Sequence, residues 1–164
     1  MNSIHQKEIN NTAQQYIMER GWFVIPATLE REKDGKKKVN VKSEYWDKDS
    51  KEKGLDDPTL VAEVFKGKNA MGIVTGYRSG ITVLDLDVDK TTGKPATPLS
   101  AFPETYTVKT QSGGYHLYYK YYPDRASRAD VGGDKYKKLD CRNDGGFVFA
   151  PPSTINGTVA YKVI

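Results

Sequence analysis

Two alternating segments, "TYTVKT" at 105–110 and "YHLYYKYY" at 115–122, are joined by "QSGG". Period-two runs of β-branched and aromatic residues, broken by a glycine turn, specify an antiparallel hairpin. A lone hairpin is barely stable in water and needs further strands beside it. The chain offers them in "WFVIPA" (22–27), "MGIV" (71–74), "ITVLDLDV" (81–88), "YKKLDC" (136–141), "GFVFA" (146–150) and "VAYKVI" (159–164). Most connections are too short for a crossover helix, so hairpin pairing and an α+β fold are expected, with about seven strands.

Two or three helices are expected, two of them with clear signals. Ser3 and Gln6 form a capping-box pattern, Ile9, Ala13, Tyr16 and Ile17 recur at helical spacing, and Gly21 is a stop, which gives a helix over 4–20. In "DDPTLVAEVFKG" (56–67), Asp57 can cap, Pro58 sits at the first helical position and Gly67 ends the run. Between them, "REKDGKKK" (31–38) carries an Asp34-Gly35 turn and reads as an exposed hairpin or loop, continued by "VNVKSEYW". Residues 89–104 and 123–135 read as long polar loops.

A chain of 164 residues suffices for one domain. Its one cysteine, Cys141, cannot form an internal disulfide, and the N-terminus lacks the pattern of a secretory signal. No run approaches a membrane span. A cytoplasmic protein with no membrane partner is therefore expected. The chain stops on an apolar strand, which suggests a fragment of a longer protein. The net charge of +4 permits a polyanionic partner without requiring one.

Chemistry is concentrated at three places. Asp85 and Asp87 are two apart at the end of an apolar strand, so their side chains share a face and repel. Two hard oxygen donors there suit Mg²⁺ or Mn²⁺; a solvated acidic edge is the other reading. His116 follows "QSGG" on a strand with Tyr118 and Lys120 on its face. It can donate to a phosphate, or be a half-buried hairpin histidine. Asp140 shares a face with Arg142, either as a third metal carboxylate beside a triphosphate-facing guanidinium or as an ordinary surface ion pair.

Four blocks, "GWFVIPA", "MGIVTGYRSGITVLDLDVD", "VKTQSGGYHLYYK" and "LDCRNDGGFVFAPPS", occur in that order over most of the chain. Together they resemble the bifunctional DNA primase/polymerase (prim-pol) N-terminal domain of the archaeo-eukaryotic primase superfamily. The resemblance implies a single catalytic domain over 1–164, with a small N-terminal α/β module packed against an RRM-like unit and the active site in the cleft between. It assigns Asp85, Asp87 and Asp140 to catalytic Mg²⁺ or Mn²⁺, and His116 to the nucleotide phosphates, with Ser112, Gly113 and Arg142 beside it. The implied activity is template-directed nucleotidyl transfer by a two-metal route in phage or plasmid replication. The implied partners are single-stranded DNA template, primer, nucleoside triphosphates and a C-terminal helicase or accessory domain.

Lys36, Lys37, Lys38 and Lys42, with Arg125, Arg128, Lys135, Lys137 and Lys138, are candidates for tracking a template backbone. Tyr118, Tyr119, Tyr121 and Tyr122 are candidates for base stacking or, at alternating spacing, for packing. Arg78 is expected to line the nucleotide cleft. The zinc-bearing stem of some relatives is absent from the pattern. The alternative reading is a non-catalytic single-stranded nucleic-acid-binding module of a replication initiator. It leaves three carboxylates unexplained, since without metal they would repel the backbone.

Overall fold

The computed structural model describes residues 3–47 and 54–164. Helix α1 spans Ser3–Arg20 and buries the predicted stripe of Ile9, Ala13, Tyr16 and Ile17. Strands β1 (Val24–Arg31) and β2 (Lys37–Val41) form the hairpin around Asp34-Gly35. A 3-10 turn at Pro58–Leu60 leads into α2 (Val61–Val64). Then follow β3 (Ala70–Val74), β4 (Ile81–Leu86), β5 (Tyr106–Thr110), β6 (Tyr115–Lys120), β7 (Leu139–Arg142) and β8 (Phe147–Ala150). The last elements are β9 (Thr154–Ile155), β10 (Thr158–Val159) and β11 (Tyr161–Val163). Among the described residues the strands number eleven, more than the sequence pattern suggested, because β2 pairs along the whole second arm of its hairpin and the two-residue β9 and β10 add a short ribbon.

Two further differences have local causes. The strand expected at 22–27 runs over Val24–Arg31, because pairing with β2 carries it to Arg31. The helix expected over 56–67 is one 3-10 turn and one α turn. Asp57 does cap it, accepting from the Thr59 N–H at 2.8 Å. Thr59, Val61 and Val64 are β-branched and weak helix formers, and so short a helix is marginal without packing. Only Val61 and Phe65 are fully buried, so one turn satisfies the core.

All pairings within the sheets are antiparallel. One sheet has the order β2-β1-β3-β8, the other β11-β5-β6-β4-β7, and β9 and β10 form a small separate ribbon. Both large sheets contribute to one core, in which Val24, Ala27, Ile73 and Val148 of the first join Val83, Val108 and Tyr118 of the second. Trp22, at the junction of α1 and β1, fastens this core. Its ring stacks on Tyr118 at 5.4 Å and meets Tyr16 at 5.0 Å and Tyr106 at 5.8 Å. Tyr118 is thus a packing residue, as its alternation allowed.

The opposite face of the five-stranded sheet carries a separate cluster of Leu86, Leu117 and Leu139. Loops cover it, through Leu99 and Phe102 before β5 and Val131 and Tyr136 before β7. No helix of the structure is long and apolar enough to cross a membrane.

The loop after β6 is held by a fully buried side chain, Asn143. Its Nδ2 donates to the Tyr122 carbonyl at 2.8 Å and to the Arg125 carbonyl, and its Oδ1 accepts from Thr82 Oγ1 at 3.1 Å. Asn143→Ala leaves two carbonyls and a hydroxyl without these partners. Urea unfolding should show a loss of about 1–3 kcal/mol; an unchanged midpoint would mean that water replaces the amide there.

Candidate active site

Strand β4 alternates so that Ile81, Val83 and Asp85 face the shared core, while Leu84 and Leu86 face the outer cluster. The apolar face thus ends at a carboxylate. Asp85 is the direct cross-strand partner of His116 on β6 and of Asp140 on β7, and His116 pairs onward with Val108. Directly paired residues on adjacent strands share a face. One row across four strands therefore reads Val108, His116, Asp85, Asp140. Arg142 lies two pairs along on the same face, opposite Val83.

The expected residues come together unequally. His116 Nε2 is 3.6 Å from Asp85 Oδ1. Arg142 is 3.0 Å from Asp140 Oδ2 and 3.8 Å from Asp85 Oδ2. The Asp130 N–H donates to Asp140 Oδ1 at 2.9 Å, so both Asp140 oxygens are engaged. Asp87 lies just past β4, tied by its N–H to the Lys138 carbonyl at 3.0 Å, with its side chain exposed. Asp85 and Asp87 line a cavity of about 300 Å³ together with Thr110, Ser112, His116 and Arg142. Tyr161 of β11, in the same sheet, lines it too, and the other sheet brings Lys37 of β2 and Phe147, Val148 and Phe149 of β8. The cavity therefore lies between the two large sheets. A larger groove of about 450 Å³, walled by Leu99, Phe102 and Leu117, lies on the outer face and holds no carboxylate pair.

Burial pushes the Asp85 carboxyl up to about 6; Arg142 pulls it down, Asp140 pushes it up and Lys37 pulls it down. Asp87, though exposed as a residue, is also raised, by the partial shielding of its carboxyl from water and then by Asp85 and Asp140. Burial drives His116 down to about 4, against the Phe149 backbone and Asp87. The imidazole is neutral at pH 7. Its Nδ1 is buried without a hydrogen bond of good geometry, which leaves an unsatisfied polar atom in the cavity wall.

Two opposite pH linkages follow. Asp85 holds its proton more tightly folded than unfolded, so its stabilising contribution is present below about 4 and lost as pH rises to about 6. His116 holds its proton more weakly folded. Its contribution is present above 6.5 and lost as pH falls toward about 4. The slopes oppose, so between pH 4 and 6.5 stability in chelator should change less than either group alone would make it. Thermal unfolding across that range checks this, and a steep slope either way contradicts it.

Asp85 and Asp87 are hard oxygen donors, and Asp85 is an under-compensated buried anion, so this pair fits a divalent cation. Among the described residues no three His, Cys, Asp or Glu side chains converge closely enough to form a metal site. Asp140, bound to Arg142, stands outside the pair.

The remaining candidates divide. Ser112 lines the cavity, its Oγ 3.0 Å from Thr110 Oγ1. Gly113 sits in the β5–β6 turn with φ +96°, facing Val88 and Gly93. Lys36, Lys38, Lys42, Arg125 and Arg128 are exposed and do not line the cavity. Lys135, Lys137 and Lys138 are exposed as well. Arg78 is not in the cleft, contrary to expectation: its guanidinium lies over the Phe23 ring at 4.3 Å. Adjacency in sequence to β4 misled, because the 75–80 turn is at the far end of that strand. Tyr121 donates to Asp144 Oδ2 at 2.8 Å and Tyr119 to the Pro103 carbonyl at 2.8 Å. Phe147, Phe149 and Tyr161 were not anticipated. The alternation of "GFVFA" put both phenylalanines on one face, but nothing local said which face.

A family model described as bifunctional DNA primase/polymerase, N-terminal, matches residues 13–164. No curated protein matches the chain.

Proposed function

The chain belongs to the bifunctional DNA primase/polymerase N-terminal family, and from that premise we propose that its cavity is the site of template-directed nucleotidyl transfer on DNA. Membership implies a nucleotidyltransferase acting on DNA and nucleotides. The observation that carries the assignment to this site is the pairing of Asp85 with His116, with Asp87 two residues on, at a cavity between two sheets. In the family arrangement the five-stranded sheet stands for the RRM-like unit, with loops rather than helices behind it. The first sheet with α1 stands for the N-terminal module.

Mg²⁺ or Mn²⁺ held by Asp85 and Asp87, with Asp140 joining on release from Arg142, would activate a primer 3′-hydroxyl and offset charge on the leaving pyrophosphate. The chain's own groups do the rest. The neutral imidazole of His116 offers an N–H to a phosphate oxygen. Ser112 and Arg142 flank the same space and orient the triphosphate. Phe147 and Phe149 keep water from the buried side of the pocket. Single-stranded template and primer, a phage or plasmid setting, a cytoplasmic location and a C-terminal helicase or accessory module complete the proposal.

The test is incubation with Mg²⁺ or Mn²⁺, labelled nucleoside triphosphates and a primed template, beside Asp85→Ala and His116→Ala. Extension by the wild type, lost in both variants, supports the reading. Product on unprimed single strand makes the domain a primase as well. A protein that binds neither triphosphate nor metal is better described as a nucleic-acid-binding module.

A further inference from the structure

Three lysines stand together at 36–38, yet only Lys37, the first residue of β2, lines the cavity that holds Asp85 and Asp87. Lys36 is paired with Asp34 at 3.2 Å. Lys38 is in register with Glu30 on β1. Lys37 lines the cavity, with its Nζ 5.9 Å from the centre of the Tyr161 ring. That ring lies 5.6 Å from the His116 imidazole. Among the described residues, Lys37 has no carboxylate within ion-pair distance.

The other cation of the cavity wall, Arg142, is already engaged by Asp140 and Asp85. Among the described residues Lys37 is thus the uncommitted positive charge of the cavity, and it enters from the opposite sheet. It is carried on an edge strand whose residues are largely exposed. The turn below it is closed by only two backbone bonds, Glu32 N–H to the Lys36 carbonyl and Gly35 N–H to the Glu32 carbonyl, both 2.9 Å. An ammonium on a flexible stem is a point charge that follows a phosphate tail without needing fork geometry. Holding such a chain in place costs rotamer entropy, which a phosphate contact must offset.

We propose that Lys37 binds the terminal phosphates of the incoming nucleoside triphosphate, and that this contact draws the β1–β2 hairpin onto the five-stranded sheet when nucleotide enters. The proposal rests on the polymerase reading of the site and moves Lys37 from the template-tracking lysines to the nucleotide pocket. It makes the nucleotide a tie between two sheets that here meet across the cavity.

Equilibrium binding of ATP and dATP, each with Mg²⁺, is compared with binding of AMP and dAMP for wild type, Lys37→Ala, Lys37→Arg and Lys33→Ala. Lys33 lies in the same hairpin and carries the same charge, but does not line the cavity. Lys37→Ala should weaken triphosphate binding by about ten- to a hundredfold and leave monophosphate binding unchanged. Lys37→Arg should restore most of the loss, and Lys33→Ala should behave as wild type. Hydrogen exchange over residues 32–41 should slow on adding triphosphate to wild type and not to Lys37→Ala. Triphosphate binding by Lys37→Ala at the wild-type level overturns the proposal. So does an equal loss for mono- and triphosphates, which would mean a fold effect. If the wild type binds no nucleotide at all, the polymerase reading fails and this inference falls with it.

Discussion

Asp85→Asn should abolish nucleotide incorporation and, in the absence of metal, make the protein more stable. Both effects come from the same burial. Asp85 is the carboxylate most withdrawn from water in the cavity, flanked by Asp140 across β7 and by a neutral imidazole across β6. Arg142 compensates it only in part, at 3.8 Å and while bound to Asp140. A buried anion that is poorly paired costs stability. Its carboxyl is raised from 3.8 to about 6, so the cost is absent near pH 4 and complete above pH 6. An amide of the same shape carries no such penalty. The variant should gain about 1–3 kcal/mol at pH 7, and little at pH 4. Because the His116 linkage remains, stability should rise more steeply between pH 4 and 6.5 in the variant than in the wild type. Thermal unfolding in chelator over that range reads both slopes. Incorporation should fall at least about a thousandfold, in line with loss of a group acting on the transition state. A variant that incorporates nucleotide at the wild-type rate would falsify the assignment of Asp85, whatever its stability.

Gly114→Ala should unfold the same region from the other direction. A Cβ at Gly114 would lie 2.3 Å from the Leu86 carbonyl oxygen and 3.3 Å from Thr110 Oγ1. The first contact is with backbone in the middle of the sheet, where Leu86 pairs with Tyr115 and Leu139. Nothing there is a flexible side chain that can swing away. The turn must lift off β4, and with it the Gly114 N–H bond to Thr110 Oγ1 and the Thr110 N–H bond to the Gly114 carbonyl. Overpacking of this kind costs about 2–4 kcal/mol, or a fall of roughly 5–15 °C in Tm for a chain this size. The lifted turn also carries Ser112 away from the cavity and shifts His116 against Asp85, so nucleotide affinity should fall with stability. Gly133, where an added Cβ meets nothing within 4 Å, gives a control for the effect of losing a glycine, although its φ of +53° adds backbone strain of its own. If Gly114→Ala melts with the wild type, the close approach of turn to strand is not as tight as described.

The order and character of the strands around the site were legible in the sequence, because period two needs only local sterics and a wet side and a dry side. The hairpin of 105–122, the acidic end of β4 and the stripe on α1 follow from alternation or helical spacing within single segments. So does the placement of Asp85 and His116 on strands, and the resemblance drew them into one family pattern. Strand length was less legible, since β1 is extended by β2, a partner that its own residues do not specify. The second helix shrank because tertiary burial asked for only Val61 and Phe65.

Only the tertiary structure decided which strands are neighbours, and hence which charges meet. That Asp85 stands between His116 and Asp140 depends on β4 lying between β6 and β7. That Asp140 is held by Arg142 and the Asp130 N–H depends on the 121–138 loop folding along the β7 edge. That Lys37 differs from Lys36 and Lys38 depends on a sheet built from residues far away in sequence. Sequence fixes what a segment prefers because those preferences are settled within a few residues. Which carboxylate is buried, which cation is left uncommitted and which aromatic closes the pocket are settled by contacts between segments, and these exist only after the two sheets have packed.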